Sequence, residues 1–242
     1  MNDLFIRAVA IDWSKISQYS YLWDIEAISD VDRIEFNKSV TFFVGENGSG
    51  KSTLLEAIAV AHGFNPEGGT KNYLFSTYDS HSELYTAMRV IKGWRKEQYG
   101  YFLRAESFYN VATKEEEYAD AAHPSKEYHK KSHGESFLAL AEDTLRENSL
   151  YLIDEPEAAL SPQRQLSLMA EIHEYAQNGT QFIIATHSPI LLGLPDAEIY
   201  CFDEGPIHPC AYEETVSYRI TEMFINNRKA LLHKLLADDE ET

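Results

Sequence analysis

Cysteine is scarce in this 242-residue chain: Cys201 and Cys210 are the only two. Two thiols do not make a disulfide framework, so nothing here needs an oxidising compartment, and the expected location is cytoplasmic. No apolar run approaches the roughly 20 residues of a membrane span, and Met1–Arg7 lacks the basic-then-apolar plan of a signal peptide. There is no internal repeat and no long Pro/Gly linker. Positive charge is also in deficit, with 21 Lys and Arg against 39 Asp and Glu and a net charge of −18. Such a surface repels a phosphate backbone at long range. Contact with nucleic acid would need a local basic patch, for which Lys92–Lys96 and Lys126 with Lys130-Lys131 are the candidates, or a partner that supplies one. Asp238–Thr242 is a short acidic tail, expected to fray.

Apolar residues are not lacking. At 44% hydrophobic the chain can bury a substantial core. Residues 4–11 read as a first strand. Asp12–Asp32 is irregular and rich in aromatics (Trp13, Tyr19, Tyr21, Trp23), read as apolar cover or as a platform for a planar ring. Arg33–Phe36 reads as a short strand turning at Asn37-Lys38 into a buried strand, Val40–Val44. Ala87–Trp94 and Tyr99–Arg104, dense in β-branched and aromatic residues, read as a β-hairpin. Asn110–Lys131 is polar and expected to be exposed. A helix is expected from Gly134 through Leu145. Ser149–Ile153 is apolar throughout, as in a central strand covered on both faces. Pro162–Gln177 reads as a helix with Leu166, Met169, Ile172 and Ala176 on its inner face. Gln181–Ala185 and Glu198–Phe202 are further strands, and helices are expected from about Tyr218. Strands alternating with helices point to an α/β fold with a mainly parallel central sheet, flanked by helices and carrying a β-rich lobe near the N-terminus. We expect one domain over 1–242, with a core at about 34–205 and a helical extension at about 206–242.

Gly45-Glu46-Asn47-Gly48-Ser49-Gly50-Lys51-Ser52 lies between the strand Val40–Val44 and the helix that Thr53 continues. Strand, glycine-rich turn and helix are the context of a phosphate-binding P-loop. Glycines let successive amides point at one anion, and the helix N-terminus adds unpaired donors. Lys51 would reach the β- and γ-phosphates of a nucleotide, and the Ser52 hydroxyl would hold Mg²⁺. Downstream, Asp154-Glu155-Pro156-Glu157 ends a buried strand. There Asp154 is placed to hold Mg²⁺ and Glu155 to orient or deprotonate a water. His187, at the end of the strand Gln181–Ala185, points into the same crevice of an open sheet, where it would sense the γ-phosphate. Lys131–Ser136 offers a small residue and a glycine at a helix start, a second anion nest or a plain N-cap.

In this order, Gly45–Ser52, Ser132–Glu135, Ile153-Asp154-Glu155 and His187 resemble the Walker A, signature, Walker B and switch-histidine elements of the ABC-type ATPase superfamily. The resemblance implies ATP and Mg²⁺ as cofactors. It also implies a head-to-tail homodimer in which Ser132, Gly134 and Glu135 of one subunit meet the nucleotide held by Gly45–Thr53 of the other. Three features depart from the pattern. The signature reads Lys131-Ser132-His133-Gly134-Glu135. The segment after Walker B reads Ala159-Leu160-Ser161-Pro162. The usual γ-phosphate-sensing glutamine has only Glu106 as its stand-in, which would lie among the metal ligands with Ser52 and Asp154. The run from Asp154 to Pro162, with Ala185-Thr186-His187-Ser188-Pro189, is similar to the soluble SMC, RecF and OLD-like branch, whose members act in DNA repair, chromosome maintenance or phage defence. A transporter's ATP-binding subunit and a low-turnover regulatory switch are the alternatives. The output would pass through an unidentified effector protein or DNA.

Overall fold

The computed structural model describes residues 3–71, 82–104, 138–140 and 143–236. Five parallel strands and one short antiparallel strand form the central sheet, in the order β5-β6-β7-β3-β8-β9. These strands are β3 (Val40–Val44), β5 (Tyr99–Arg104), β6 (Ser149–Asp154), β7 (Gln181–Ala185), β8 (Glu198–Cys201) and β9 (His208–Pro209). Every residue of β3, β6 and β7 is buried, as expected of parallel strands covered on both faces. Alternation then divides each strand between two apolar layers. Phe42, Val44, Tyr151, Ile153, Phe182 and Ile184 enter one layer, and Phe43, Leu150, Leu152 and Ile183 the other.

The N-terminal lobe is an antiparallel sheet of order β2-β1-β4, built from β1 (Ile6–Ile11), β2 (Arg33–Glu35) and β4 (Met88–Lys92). This corrects one expectation. The strands 88–92 and 99–104 are both present, yet they do not form a hairpin: β4 pairs with β1, and β5 runs parallel to β6. Strand β2 pairs with β1, whereas β3 belongs to the central sheet. Strand propensity is local, and it does not choose the partner.

Helix α1 (Glu26–Ser29) precedes β2, and α2 (Lys51–His62) follows β3. Gly63 ends α2 at φ +104°, its N–H bonding back to Ala59 and Val60, as expected of a C′ glycine. Helix α3 (Leu84–Ala87) leads into β4, and α4 (Pro162–Gln177) joins β6 to β7. The α4 N-terminus has Ser161 as cap, its hydroxyl accepting from Arg164 N–H, with Pro162 in the first turn.

The inner face of α4 differs from expectation. Gln165, Leu168 and Ile172 are buried, Met169 and Ala176 pack at the margin, and Leu166 is 51% exposed. Buried Gln165 donates to Leu160 O at 2.9 Å and accepts from Ser188 Oγ at 2.6 Å. Those bonds let a polar side chain take the inner position. Helix α5 (Pro189–Leu192) follows β7, and α6 (Val216–Leu236) is two helical segments joined at a kink at Asn227 and buries none of its residues.

Of the upstream aromatics, only Trp13 covers the core, partly buried against it. Tyr19, Tyr21 and Trp23 are exposed, and Trp23 packs its ring 4.9 Å from that of Trp13. Of the expected helix 134–145, residues 138–140 and 143–145 are described; 138–140 and 143–144 are helical and Leu145 is not. The polar stretch 110–131 and the acidic tail 238–242 lie outside the described residues, as do Glu106, Ser132, Gly134 and Glu135.

Candidate active site

The parallel strands deliver their following residues to one edge of the sheet, where open α/β sheets bind ligands. In spatial order that edge carries Arg104 at the end of β5, Asp154 at the end of β6 with Glu155 after it, His187 after β7, the glycine-rich turn after β3 and Asp203 after β8. Of the residues read from sequence, Ser52 and Asp154 meet in a hydrogen bond, Glu155 and His187 face each other, and Lys51 lies beneath the turn.

The turn needs its glycines for two different reasons. Gly48 sits at φ +82° with open space around it. Gly50 caps α2 at φ +99°, and a Cβ there would lie 2.6 Å from Ile25 Cγ2. Only glycine takes both the left-handed backbone and the close approach. Lys51 is buried under the loop, its ammonium donating to Gly45 O at 2.7 Å and Glu46 O at 2.8 Å. Burial pulls this ammonium below the ordinary lysine value, and the carboxylates of Glu155, Asp203, Asp154 and Glu157 oppose that pull. Asp203 also fixes the loop, Oδ1 accepting from Glu46 N–H at 2.7 Å.

Across the crevice, Ser52 Oγ donates to Asp154 Oδ1 at 2.8 Å, joining residues 102 positions apart. Asp154 Oδ2 lies 3.6 Å from Arg104 Nε, and Arg104 Nη1 donates to Glu56 Oε2 at 2.6 Å. Glu155 holds φ +49°, uncommon for a residue with a side chain, and its N–H donates to Ala185 O at 2.9 Å. Its Oε1 is 3.5 Å from His187 Nε2, an enclosed nitrogen that has no hydrogen-bond partner among the described residues. Glu157 holds the end of β7 in place, accepting from Thr186 Oγ1 at 2.8 Å and from the His187 backbone N–H.

These groups border an open cleft of about 500 Å³, lined by Gly45, Glu46, Asn47, Glu155, Glu157, His187 and Asp203 on the sheet side. The first turns of α6 form the opposite wall with Val216, Ser217, Ile220 and Thr221. Among the described residues, Trp13, Tyr19, Tyr21 and Trp23 do not border it.

The donor set fits a magnesium nucleotide. The hydroxyl of Ser52 and the carboxylate of Asp154 are hard oxygen donors, and Mg²⁺ takes one or two of these from a protein and the rest from phosphate and water. Ser49 Oγ is enclosed at the turn without a partner, and His187 Nε2 is likewise unsatisfied. Four carboxylates around one lysine would repel a bare polyphosphate, and an accompanying cation would offset that charge. The structure adds Asp203, Glu157, Arg104 and Glu56 to the residues read from sequence. Glu157 was signalled by its place in the acidic run after β6, and Glu56 by standing four positions after Ser52 on the same helix face. Asp203 and Arg104 carried no sequence signal.

The profile of the AAA domain matches residues 21–178. No curated protein matches the chain. Among solved structures, cbiO1 from Clostridium perfringens, part of the ABC transporter complex cbiONQ, superposes with a TM-score of 0.51 at 16% identity, covering 93% of this chain and 97% of that one. A nucleotide-free ATP-binding cassette from an ABC transporter gives a TM-score of 0.51 at 17% identity over 95% and 99% of the two chains. Both likenesses are of fold.

Proposed function

The chain belongs to the AAA-domain family, within the ABC-type ATPase superfamily, and from that membership we propose that it hydrolyses ATP to ADP and phosphate between two copies of itself. The observation that carries this reading is the 2.8 Å bond between Ser52 and Asp154, with Glu155, the next residue in the chain, and His187 lining the cleft beside it. The loop amides and Lys51 bind the phosphates, and Ser52 with Asp154 would hold Mg²⁺. When bound, that ion supplies positive charge to the β- and γ-phosphate oxygens. Glu155 orients the attacking water and accepts its proton as the water oxygen bonds to the γ-phosphorus and the bond to the ADP oxygen breaks. His187, turned toward Glu155, hydrogen-bonds the γ-phosphate and registers its loss.

Ser132, Gly134 and Glu135 of a second copy would close the cleft, and Glu106 would approach the metal. Glu155, His187 and Lys51 are the proposed catalytic set. We take 34–205 as the nucleotide-binding core of a single domain. Among the described residues no helix is long and apolar enough to cross a membrane. The proposed role is in DNA repair, chromosome maintenance or phage defence, exerted through an effector protein or DNA from a cytoplasmic location. A transporter subunit is the competing role.

The test is phosphate release by the full chain, with Lys51→Ala as control, alongside mass by light scattering with and without ATP. Turnover that disappears in the variant, with a mass that doubles under ATP, supports the proposal. Turnover indifferent to Lys51 overturns it. Adding duplex DNA separates the roles, because a DNA-directed enzyme accelerates and a transporter subunit does not.

A further inference from the structure

Arg104 ends β5 directly opposite Asp154 in the parallel register. Its guanidinium is shared between two carboxylates. Nη1 donates to Glu56 Oε2 at 2.6 Å and to Pro66 O at 3.2 Å, while Nε lies 3.6 Å from Asp154 Oδ2. The three side chains are 18%, 12% and 7% exposed for Arg104, Glu56 and Asp154, so solvent screens the cluster little. Glu56 and Ser52 are one turn apart on α2, and both hold this cluster: Ser52 bonds Asp154, and Glu56 bonds Arg104. A ring therefore closes through Ser52, Asp154, Arg104, Glu56 and the α2 backbone.

The ring engages both oxygens of Asp154, one by a hydroxyl and one by a fixed cation. A buried carboxylate needs such compensation. It also means that a divalent cation arriving alone meets a carboxylate already neutralised, with a like charge held beside it by Glu56. A cation arriving with a polyphosphate brings the extra negative charge that offsets Arg104. Resting on the Mg²⁺-nucleotide reading of this cleft, we infer that Arg104 is a positioning residue that makes metal binding at Asp154 conditional on nucleotide. It is not a catalytic residue, because it acts through Asp154 and its anchor on α2.

The experiment uses Mn²⁺ in place of Mg²⁺, read by electron paramagnetic resonance on the full chain, with and without the non-hydrolysable β,γ-imido analogue of ATP. Wild type is expected to take up Mn²⁺ tightly only with the analogue. Arg104→Gln is expected to bind Mn²⁺ without nucleotide at least about tenfold more tightly than wild type, because the competing charge is gone. Arg104→Lys, which keeps the charge, should follow wild type. Glu56→Gln removes the carboxylate that offsets the guanidinium from the α2 side and should weaken Mn²⁺ in the nucleotide complex, a shift of opposite sign that a purely structural role does not give. An Arg104→Gln isotherm superimposable on wild type without nucleotide overturns the inference. If that variant does not fold, an unchanged Glu56→Gln isotherm overturns it instead. Asp154→Asn separates the two claims. If it loses Mn²⁺ in the nucleotide complex while Arg104→Gln behaves as wild type, the metal site stands and the inference falls. If it retains the metal there, both fall.

Discussion

Replacing Glu155 by Gln changes one oxygen to an amide nitrogen and nothing else in size. The backbone at this position is fixed independently of the side chain, by the Glu155 N–H bond to Ala185 O at 2.9 Å and by the turn that Ala158 N–H closes on Glu155 O. The variant should therefore keep its fold and its cleft. On the proposed mechanism it loses the carboxylate that takes a proton from water beside His187, whose Nε2 is 3.5 Å away, and with it one of the four charges that support the Lys51 ammonium. General-base groups of this kind are worth about 10²- to 10⁴-fold, or roughly 3–5 kcal/mol of barrier. Binding should be kept, because Ser52, Asp154 and Lys51 are untouched, so ATP should accumulate uncleaved in a dimer. The assay is single-turnover cleavage of radiolabelled ATP, paired with light scattering under ATP. A variant retaining more than about a tenth of wild-type cleavage refutes the role given to Glu155. So does a variant that no longer binds ATP, since the change would then have acted on binding.

The remaining predictions concern stability. Gly50→Ala combines a left-handed backbone with a Cβ 2.6 Å from Ile25 Cγ2, and should cost roughly 2–5 kcal/mol. Gly63→Ala, at φ +104° with open space, should cost only the backbone part, about 1–2 kcal/mol. Equal losses for the two in thermal melts contradict the packing argument. His62, with its ring against Glu97 at 3.1 Å, is held below the ordinary histidine value, chiefly by burial. Glu97 is held well below the ordinary carboxylate range, first by its hydrogen bond to His62. Both folded values are depressed, so the unfolded chain binds protons more readily. Stability is complete above the unfolded values and is lost as pH falls, first below about 6.5 through His62 and then below about 4.5 through Glu97. His62→Gln should flatten the denaturation midpoint between pH 7 and pH 5. A slope unchanged by that substitution shows that another group sets it.

Sequence by itself determined the local grammar of this protein. An apolar run, a turn that only glycines can make and a helix able to present its amides are all contiguous. The acid pair after the strand 149–154 and the histidine after 181–185 are legible for the same reason. What it could not determine was pairing. Strands 88–92 and 99–104 are neighbours in the chain and satisfy every hairpin expectation, yet their hydrogen bonds go to β1 and β6 in different sheets. Leu166 matches the apolar period of α4 as well as Leu168 does, and only the neighbours of the helix decide which one is covered. Only the tertiary structure decided that β7 lies between β3 and β6, which brings Ser52 to Asp154, and that β5 flanks β6, which brings in Arg104 and through it Glu56. The physical reason is that periodicity and turn chemistry act over a few residues. A salt bridge across a sheet edge instead depends on which strands lie side by side, which the packing of the whole chain settles.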